Sequence, residues 1–316
     1  MTRWYGRVGT GCALVVALSG CGSDTSFEGA QISASLGCSD GTLDPSSTHI
    51  DLEHAGVSRS YELYIPPAYD GSTPVPVVLN FHGFTSTGLL QQEGTKMNET
   101  AEREGFIVVY PNGLDSSWNG GICCGSSAET NVDDVGFTRA VIEDLGERGC
   151  IDTARVYATG MSNGGFLSHR LACEAADVIA AAAPVAAVLG IDEAACNPAR
   201  PIPIMQLNGT ADPLVRYEGG GLAGSPSAEE STDGWAARNG CTGEPELSYE
   251  NGAASCETVA DCEGDASVTL CSIEGAGHCW PGQPCPERLG ALVGEPTFDI
   301  DANEAMWGLF STVKLP

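Results

Sequence analysis

The chain has 316 residues, 42% of them hydrophobic, and a formal charge of −28 from 14 basic and 42 acidic side chains. That length accommodates one enzyme-sized domain with an ample core. The acidic balance repels phosphate backbones and anionic headgroups, which excludes nucleic acid and a bare lipid surface as ligands.

Residues 1–20 read as a signal peptide rather than part of the fold. Arg3 and Arg7 form a positive start, and Cys12 to Leu18 is an apolar run too short to span a bilayer. Leu18-Ser19-Gly20-Cys21 resembles a bacterial lipobox, in which Cys21 becomes the lipidated first residue; an ordinary secretory signal cut nearby is the alternative. Any membrane contact is expected through that anchor alone. Residues 21–46, rich in Ser, Gly, Asp and Thr, read as a flexible tether, and residues 47–316 as the domain. Setting Cys12 and Cys21 aside, twelve of the 14 cysteines remain. An even count in an exported chain predicts up to six disulfides, with Cys256–Cys262 and Cys279–Cys285 as local pairings. No Cys or His cluster has zinc spacing, so no metal and no cofactor are expected.

Strands are predicted around Thr48–Leu52 and Arg59–Ile65, the second stopped by Pro66-Pro67. Val75 to Phe81 is almost continuously apolar, as in a parallel strand covered on both faces. It leads into His82-Gly83-Phe84-Thr85. Residues 91–104 read as a helix, and Phe106 to Tyr110 as the next buried strand. Trp118 to Gly125 is a loop with adjacent Cys123 and Cys124, each expected to pin it to another part of the chain. Asp133 and Asp134 open a helix running to about Glu147, as N-cap and helix-dipole partners.

A short strand, Val156 to Thr159, ends at Gly160, and a helical pattern with Phe166, Leu167 and Leu171 on one face follows. Between them lies Gly160-Met161-Ser162-Asn163-Gly164, a G-x-S-x-G pattern. In this turn the serine is held strained above a sheet, and the positions two before and two after it are too crowded for side chains. In a chain with 41 glycines the pattern alone is weak; an acid and a histidine following in order decide the matter. After strands at Ile179–Val188 and Ile202–Leu207 comes Asp212, at the carboxyl end of the second. An Asp-Pro turn is its competing reading, and Asp233 a rival acid. Residues 214–266 read as an irregular, disulfide-pinned excursion beside the site, a candidate cap. Ser267–Ile273 is a strand leading to His278. His49, His54, His82 and His169 are disfavoured as general base by position. A final helix runs from about Asn303 to Val313. The order Ser162, Asp212, His278 is that of α/β-hydrolases. In that arrangement backbone N–H groups of Phe84 (Thr85 as alternate) and Asn163 form the oxyanion hole. Trp118 and Trp280 are candidates to contact substrate, against ordinary loop packing.

Four blocks stand together: FHGF (81–84), WNGGICCG with DDVGF (118–125, 133–137), RVYATGMSNGG (155–165), and NGTADPL with GHCWPG (208–214, 277–282). They resemble the polyhydroxybutyrate depolymerase/feruloyl esterase group, often placed with carbohydrate esterase family 1. The resemblance implies an α/β-hydrolase fold, a mostly parallel central sheet with helices on both faces. It also implies serine esterase activity with the triad at Ser162, Asp212 and His278. Met161 stands where tannases place a cysteine, which argues against that subgroup. The expected substrate is a polymeric or oligomeric ester, feruloyl or related, on plant polysaccharide, acted on by a monomer. Poly(3-hydroxybutyrate) or its oligomers are the alternative. Other classes would be a peptidase using the same elbow, or a lipid-anchored binding protein with an inactive hydrolase fold.

Overall fold

The computed structural model of the protein describes residues 35, 37–40, 43–221, 224–285 and 290–316. The expected signal segment and Cys21 lie outside these residues, as does most of the expected tether. In chain order the elements are α1 (Gly37–Asp40), β1 (Ser46–His54), β2 (Val57–Ile65), β3 (Val75–Phe81), α2 (Gly88–Thr95), α3 (Met97–Glu104), β4 (Ile107–Asn112), α4 (Gly125–Glu129), α5 (Asp134–Arg148), β5 (Ile151–Met161), α6 (Asn163–Glu174), β6 (Ala181–Val185), β7 (Ile204–Gly209), α7 (Ala228–Arg238), β8 (Glu246–Asn251), β9 (Ala254–Val259), β10 (Val268–Ile273) and α8 (Ala302–Phe310).

The strands form one sheet in the order β1-β2-β4-β3-β5-β6-β7-β10-β9-β8. The six from β4 to β10 are mutually parallel, and an antiparallel hairpin continues the sheet at each edge. Both faces of the central strands are covered, which is why β3 reads as a nearly unbroken apolar run. Val77, Leu79 and Phe81 join Val141, Leu145, Leu167, Leu171 and Trp235 on the face of α5, α6 and α7. Val78, Val108 and Tyr157 join Met97, Ala101, Met306 and Phe310 on the face of α3 and α8. The Tyr157 and Phe310 rings stack there at 4.6 Å.

One rung fixes the carboxyl edge of the sheet. Met161 pairs with Val185, Val185 with Leu207, and Leu207 with Cys271. The loops after β5, β7 and β10 therefore leave the same edge, about 4.8 Å apart per strand.

Several expectations need correction. The helix expected over 91–104 is two helices, broken at Lys96, which is left-handed (φ 55°). The break leaves the Thr95 carbonyl to the Asn303 side chain of α8, whose amide donates to it at 2.8 Å. Residues 214–266 are not a cap. They carry α7 and the β8–β9 hairpin, and β9 is bonded to β10 by register and by the Cys256–Cys271 disulfide. All twelve remaining cysteines are paired, Cys279 with Cys285 as expected. Cys262 bonds Cys241 rather than Cys256. Cys123 and Cys124 bond each other rather than distant partners; the loop is held instead by hydrogen bonds such as Ile122 N–H to Gly190 O at 2.8 Å. The latter part of the expected tether belongs to the domain, because Cys38 is bonded to Cys150 and Ser35 donates to Gly149 O at 2.6 Å.

Candidate active site

Strand β5 ends at Met161 and α6 begins at Asn163, leaving Ser162 alone at the turn with φ 55° and ψ −121°. A non-glycine residue in this region is strained and persists only where its surroundings fix it. Here its N–H donates to Val185 O and its carbonyl accepts from Phe166 N–H, both at 2.9 Å. The flanking glycines answer to close backbone approach. A Cβ on Gly160 would lie 2.6 Å from Phe81 O, and one on Gly164 would lie 2.1 Å from the same oxygen.

Asp212 lies in the turn after β7 and His278 in the loop after β10, on the same sheet edge. The His278 Nδ1–H donates to Asp212 Oδ2 at 2.6 Å, and the two side chains are 5% and 0% exposed. The other carboxylate oxygen, Oδ1, accepts from Leu214 N–H at 2.8 Å and Val215 N–H at 2.9 Å. The two readings of this residue thus coexist: one oxygen closes the Asp-Pro turn, the other holds the imidazole. Gly277 N–H to Glu295 O at 2.8 Å and the Cys279–Cys285 bond fix the histidine loop on either side. Among the described residues the His278 side chain hydrogen-bonds to Asp212 and not to Ser162. Its Nε2 is the nitrogen left to take a proton, and such contacts commonly close only with substrate in place. Asp233, the rival acid, sits on the exposed side of α7.

Gly83 lies against the elbow: a Cβ there would be 3.6 Å from Ser162 Cβ. The next residue, Phe84, is 46% exposed. The alternate donor Thr85 spends its N–H on Ser116 O at 2.9 Å. Asn163 is the first residue of α6, so its N–H belongs to the group a helix leaves unpaired.

Trp118 and Trp280, expected to face substrate, do not. Trp118 is fully buried, its Nε1–H donating to His82 O at 3.0 Å. Trp280 is 3% exposed, its Nε1–H donating to Asn303 Oδ1 at 3.1 Å, among the residues packed on α8. The disfavoured His82 is structural: it accepts from Gly113 N–H at 3.0 Å and its Nδ1–H donates to Gly83 O at 2.8 Å. Burial pushes its pKa down to about 4. His169 accepts from Trp235 Nε1–H at 2.9 Å, and burial pushes it down to about 3.

Sequence reasoning missed the support behind the site. Asn163 Oδ1 accepts from Trp118 N–H at 2.7 Å and its Nδ2 donates to Trp118 O at 2.9 Å. Asp134 is more than a helix-dipole partner: it binds Arg59 at 2.8 Å and accepts from Asn119 N–H at 2.8 Å, wholly buried. A signal existed. Arg59 shares the period-two inward face of Tyr61, Leu63 and Ile65, and a buried arginine requires a buried acid.

A family model described as esterase PHB depolymerase matches residues 59–218. Feruloyl esterase B of Piromyces equi is 36% identical over 234 residues, which cover 70% of this chain and 42% of that protein. The chain thus spans less than half of that relative's length. A solved structure titled as a thermostable esterase aligns with TM-score 0.56 at 17% identity, covering 85% of this chain and 63% of that one. An acetyl xylan esterase from Aspergillus awamori aligns with TM-score 0.53 at 17% identity, covering 73% and 94%. The shared architecture is the α/β-hydrolase fold.

Proposed function

The chain belongs to the esterase PHB depolymerase family, and from that membership we propose that it is an exported serine esterase acting on feruloyl or related esters of plant polysaccharide. The observation that carries this reading is the buried Asp212–His278 pair on the sheet edge that also bears the strained Ser162. The likeness to a feruloyl esterase supports the choice of acid. The disulfides and the signal-like first 20 residues support export, with Cys21 as the proposed lipid anchor. Residues 47–316, together with the Ser35–Cys38 stretch tied to Gly149 and Cys150, form the catalytic domain in this reading, and a single chain is the acting unit, since it supplies every residue used.

Ser162 Oγ attacks the ester carbonyl carbon while its proton passes to His278 Nε2. Asp212 holds the Nδ1–H tautomer and stabilises the imidazolium. The carbonyl oxygen, now negative, is met by the N–H groups of Phe84 and Asn163. Collapse breaks the ester C–O bond, and the alcohol departs with the proton from Nε2. Water then enters, gives a proton to Nε2 and releases the acid, restoring the Ser162 hydroxyl.

The test is Ser162→Ala assayed on p-nitrophenyl acetate, with a loss of about 10⁴-fold or more expected. An unchanged rate ends the assignment. Comparing kcat/KM for methyl ferulate and for 3-hydroxybutyrate oligomers chooses the acid; a preference for the oligomers replaces the feruloyl reading with the depolymerase one that the family's name suggests.

A further inference from the structure

The two proposed oxyanion donors come from loops far apart in sequence, one after β3 and one at the start of α6. Two N–H groups stabilise an oxyanion only when both lie about 2.7–3.1 Å from the same point. A displacement of about 1 Å at such a site removes on the order of 10²-fold in rate. Something must therefore hold the loops in register, and one buried residue touches both.

We propose that Trp118 is a positioning residue that locks the two halves of the oxyanion hole together. Its main chain clamps one half: the Asn163 side-chain amide bonds both Trp118 N–H, at 2.7 Å, and Trp118 O, at 2.9 Å. Its indole clamps the other: Nε1–H donates to the His82 carbonyl at 3.0 Å, two residues before Phe84. The ring also meets Phe81 edge-on at 5.3 Å and His82 at 4.9 Å. The bracket is itself anchored. The next N–H, of Asn119, donates to Asp134 Oδ2 at 2.8 Å, and Asp134 Oδ1 accepts from Arg59 at 2.8 Å, both side chains at most 2% exposed. The Arg59 guanidinium lies 5.9 Å from the Trp118 ring centroid and 3.8 Å from that of Phe137. A buried indole N–H needs an acceptor wherever it packs; what distinguishes Trp118 is where its bonds end, for its main chain and its indole reach the two separate segments that carry the donors.

The inference rests on Ser162 being the nucleophile, so Ser162→Ala is run beside it. Trp118→Phe keeps an aromatic ring and removes the indole N–H. Kinetics on p-nitrophenyl acetate are normalised to active sites counted by exhaustive covalent labelling with a fluorophosphonate, so that unfolded protein does not enter. Trp118→Phe is expected to lower kcat per active site about 10- to 100-fold, with KM within twofold. The inhibition constant of phenylboronic acid, which forms a tetrahedral adduct on the serine, is expected to rise in parallel. Asn163→Asp is the second variant: it removes the Nδ2 donor to Trp118 O, leaves the backbone N–H of residue 163 in place, and is expected to give the same pattern. A variant with a lower Tm but kcat per site and boronate affinity within twofold of the parent overturns the proposal and leaves Trp118 as packing. If Trp118→Phe does not fold, Asn163→Asp decides by the same readouts. Activity surviving in Ser162→Ala refutes the esterase reading itself; a dead Ser162→Ala with unaffected clamp variants refutes this inference alone.

Discussion

Asp212 allows a substitution whose outcome the geometry dictates atom by atom. Its Oδ1 accepts two backbone N–H groups, from Leu214 and Val215, so in Asp212→Asn that position must keep the amide oxygen. The NH₂ group is then forced to face His278 Nδ1, where the carboxylate Oδ2 stood at 2.6 Å. A donor there demands a lone pair on Nδ1, so the imidazole proton moves to Nε2, the nitrogen that accepts the Ser162 proton in the proposed mechanism. The expected loss is about 10⁴-fold in kcat, the size attached to a wrong-tautomer histidine. Stability separates from activity. Asp212→Asn keeps the turn and is expected to lose about 1 kcal/mol. Asp212→Ala leaves both N–H groups without their charged acceptor and is expected to lose about 2–4 kcal/mol. Initial rates on p-nitrophenyl acetate and urea unfolding midpoints measure the two. Asp212→Asn activity within tenfold of the parent, or equal stability of the two variants, refutes the reasoning.

The buried histidines give the fold a defined pH response. His169 binds a proton at its ordinary pKa of 6.5 when unfolded but near 3 when folded, so its contribution is complete above 6.5 and is lost as pH falls toward 3. His169→Gln is therefore expected to lose about 2 kcal/mol less than the parent between pH 6.5 and 4.5, by urea unfolding; parallel curves refute this. Removing the Cys38–Cys150 bond, which closes 112 residues, by replacing both with Ser is expected to reduce stability by about 2–4 kcal/mol. An unchanged midpoint under non-reducing conditions means that the link adds nothing.

What the sequence made legible was local or ordered along the chain. The unbroken apolar run of β3 and the glycines around Ser162 each answer to neighbours that a short window implies, and the chain order of Asp212 and His278 anticipated the pair that the structure joins. What it hid was polar contact between distant segments. Nothing near Trp118 announces that a side-chain amide 45 residues on will pair with its backbone, so by sequence alone a large aromatic beside the site reads as a candidate substrate contact. The β8–β9 hairpin leaves no trace in the sequence because every residue of β8 is exposed, so there is no alternation to read. Its inner partner is held by Cys256–Cys271, a pairing that spacing does not reveal.

With both tryptophans turned inward, the apolar surface at the site must come from smaller side chains on its loops. Phe84 is 46% exposed, Ile122 40% and Leu214 47%. Their loops meet one another: Gly125 abuts the Phe84 ring, and Cys124 packs on the cluster that contains Val215, next to Leu214. Each arises from a different loop, while the reacting groups are fixed by the rung through β5, β6, β7 and β10. Chemistry and acyl preference are therefore separable. Leu214 is the cleanest probe, because its side chain takes no part in holding Asp212; its N–H does, and that survives substitution. Covering about 50 Å² of aromatic and leucine surface at ~25 cal/mol per Å² gives about 1.2 kcal/mol, or close to tenfold. Leu214→Ser is accordingly expected to lower kcat/KM for methyl ferulate about tenfold relative to its effect on methyl acetate, which has no ring to cover. Equal effects on the two esters would place the aromatic acid elsewhere on the enzyme and leave the exposed loop residues without a part in its recognition.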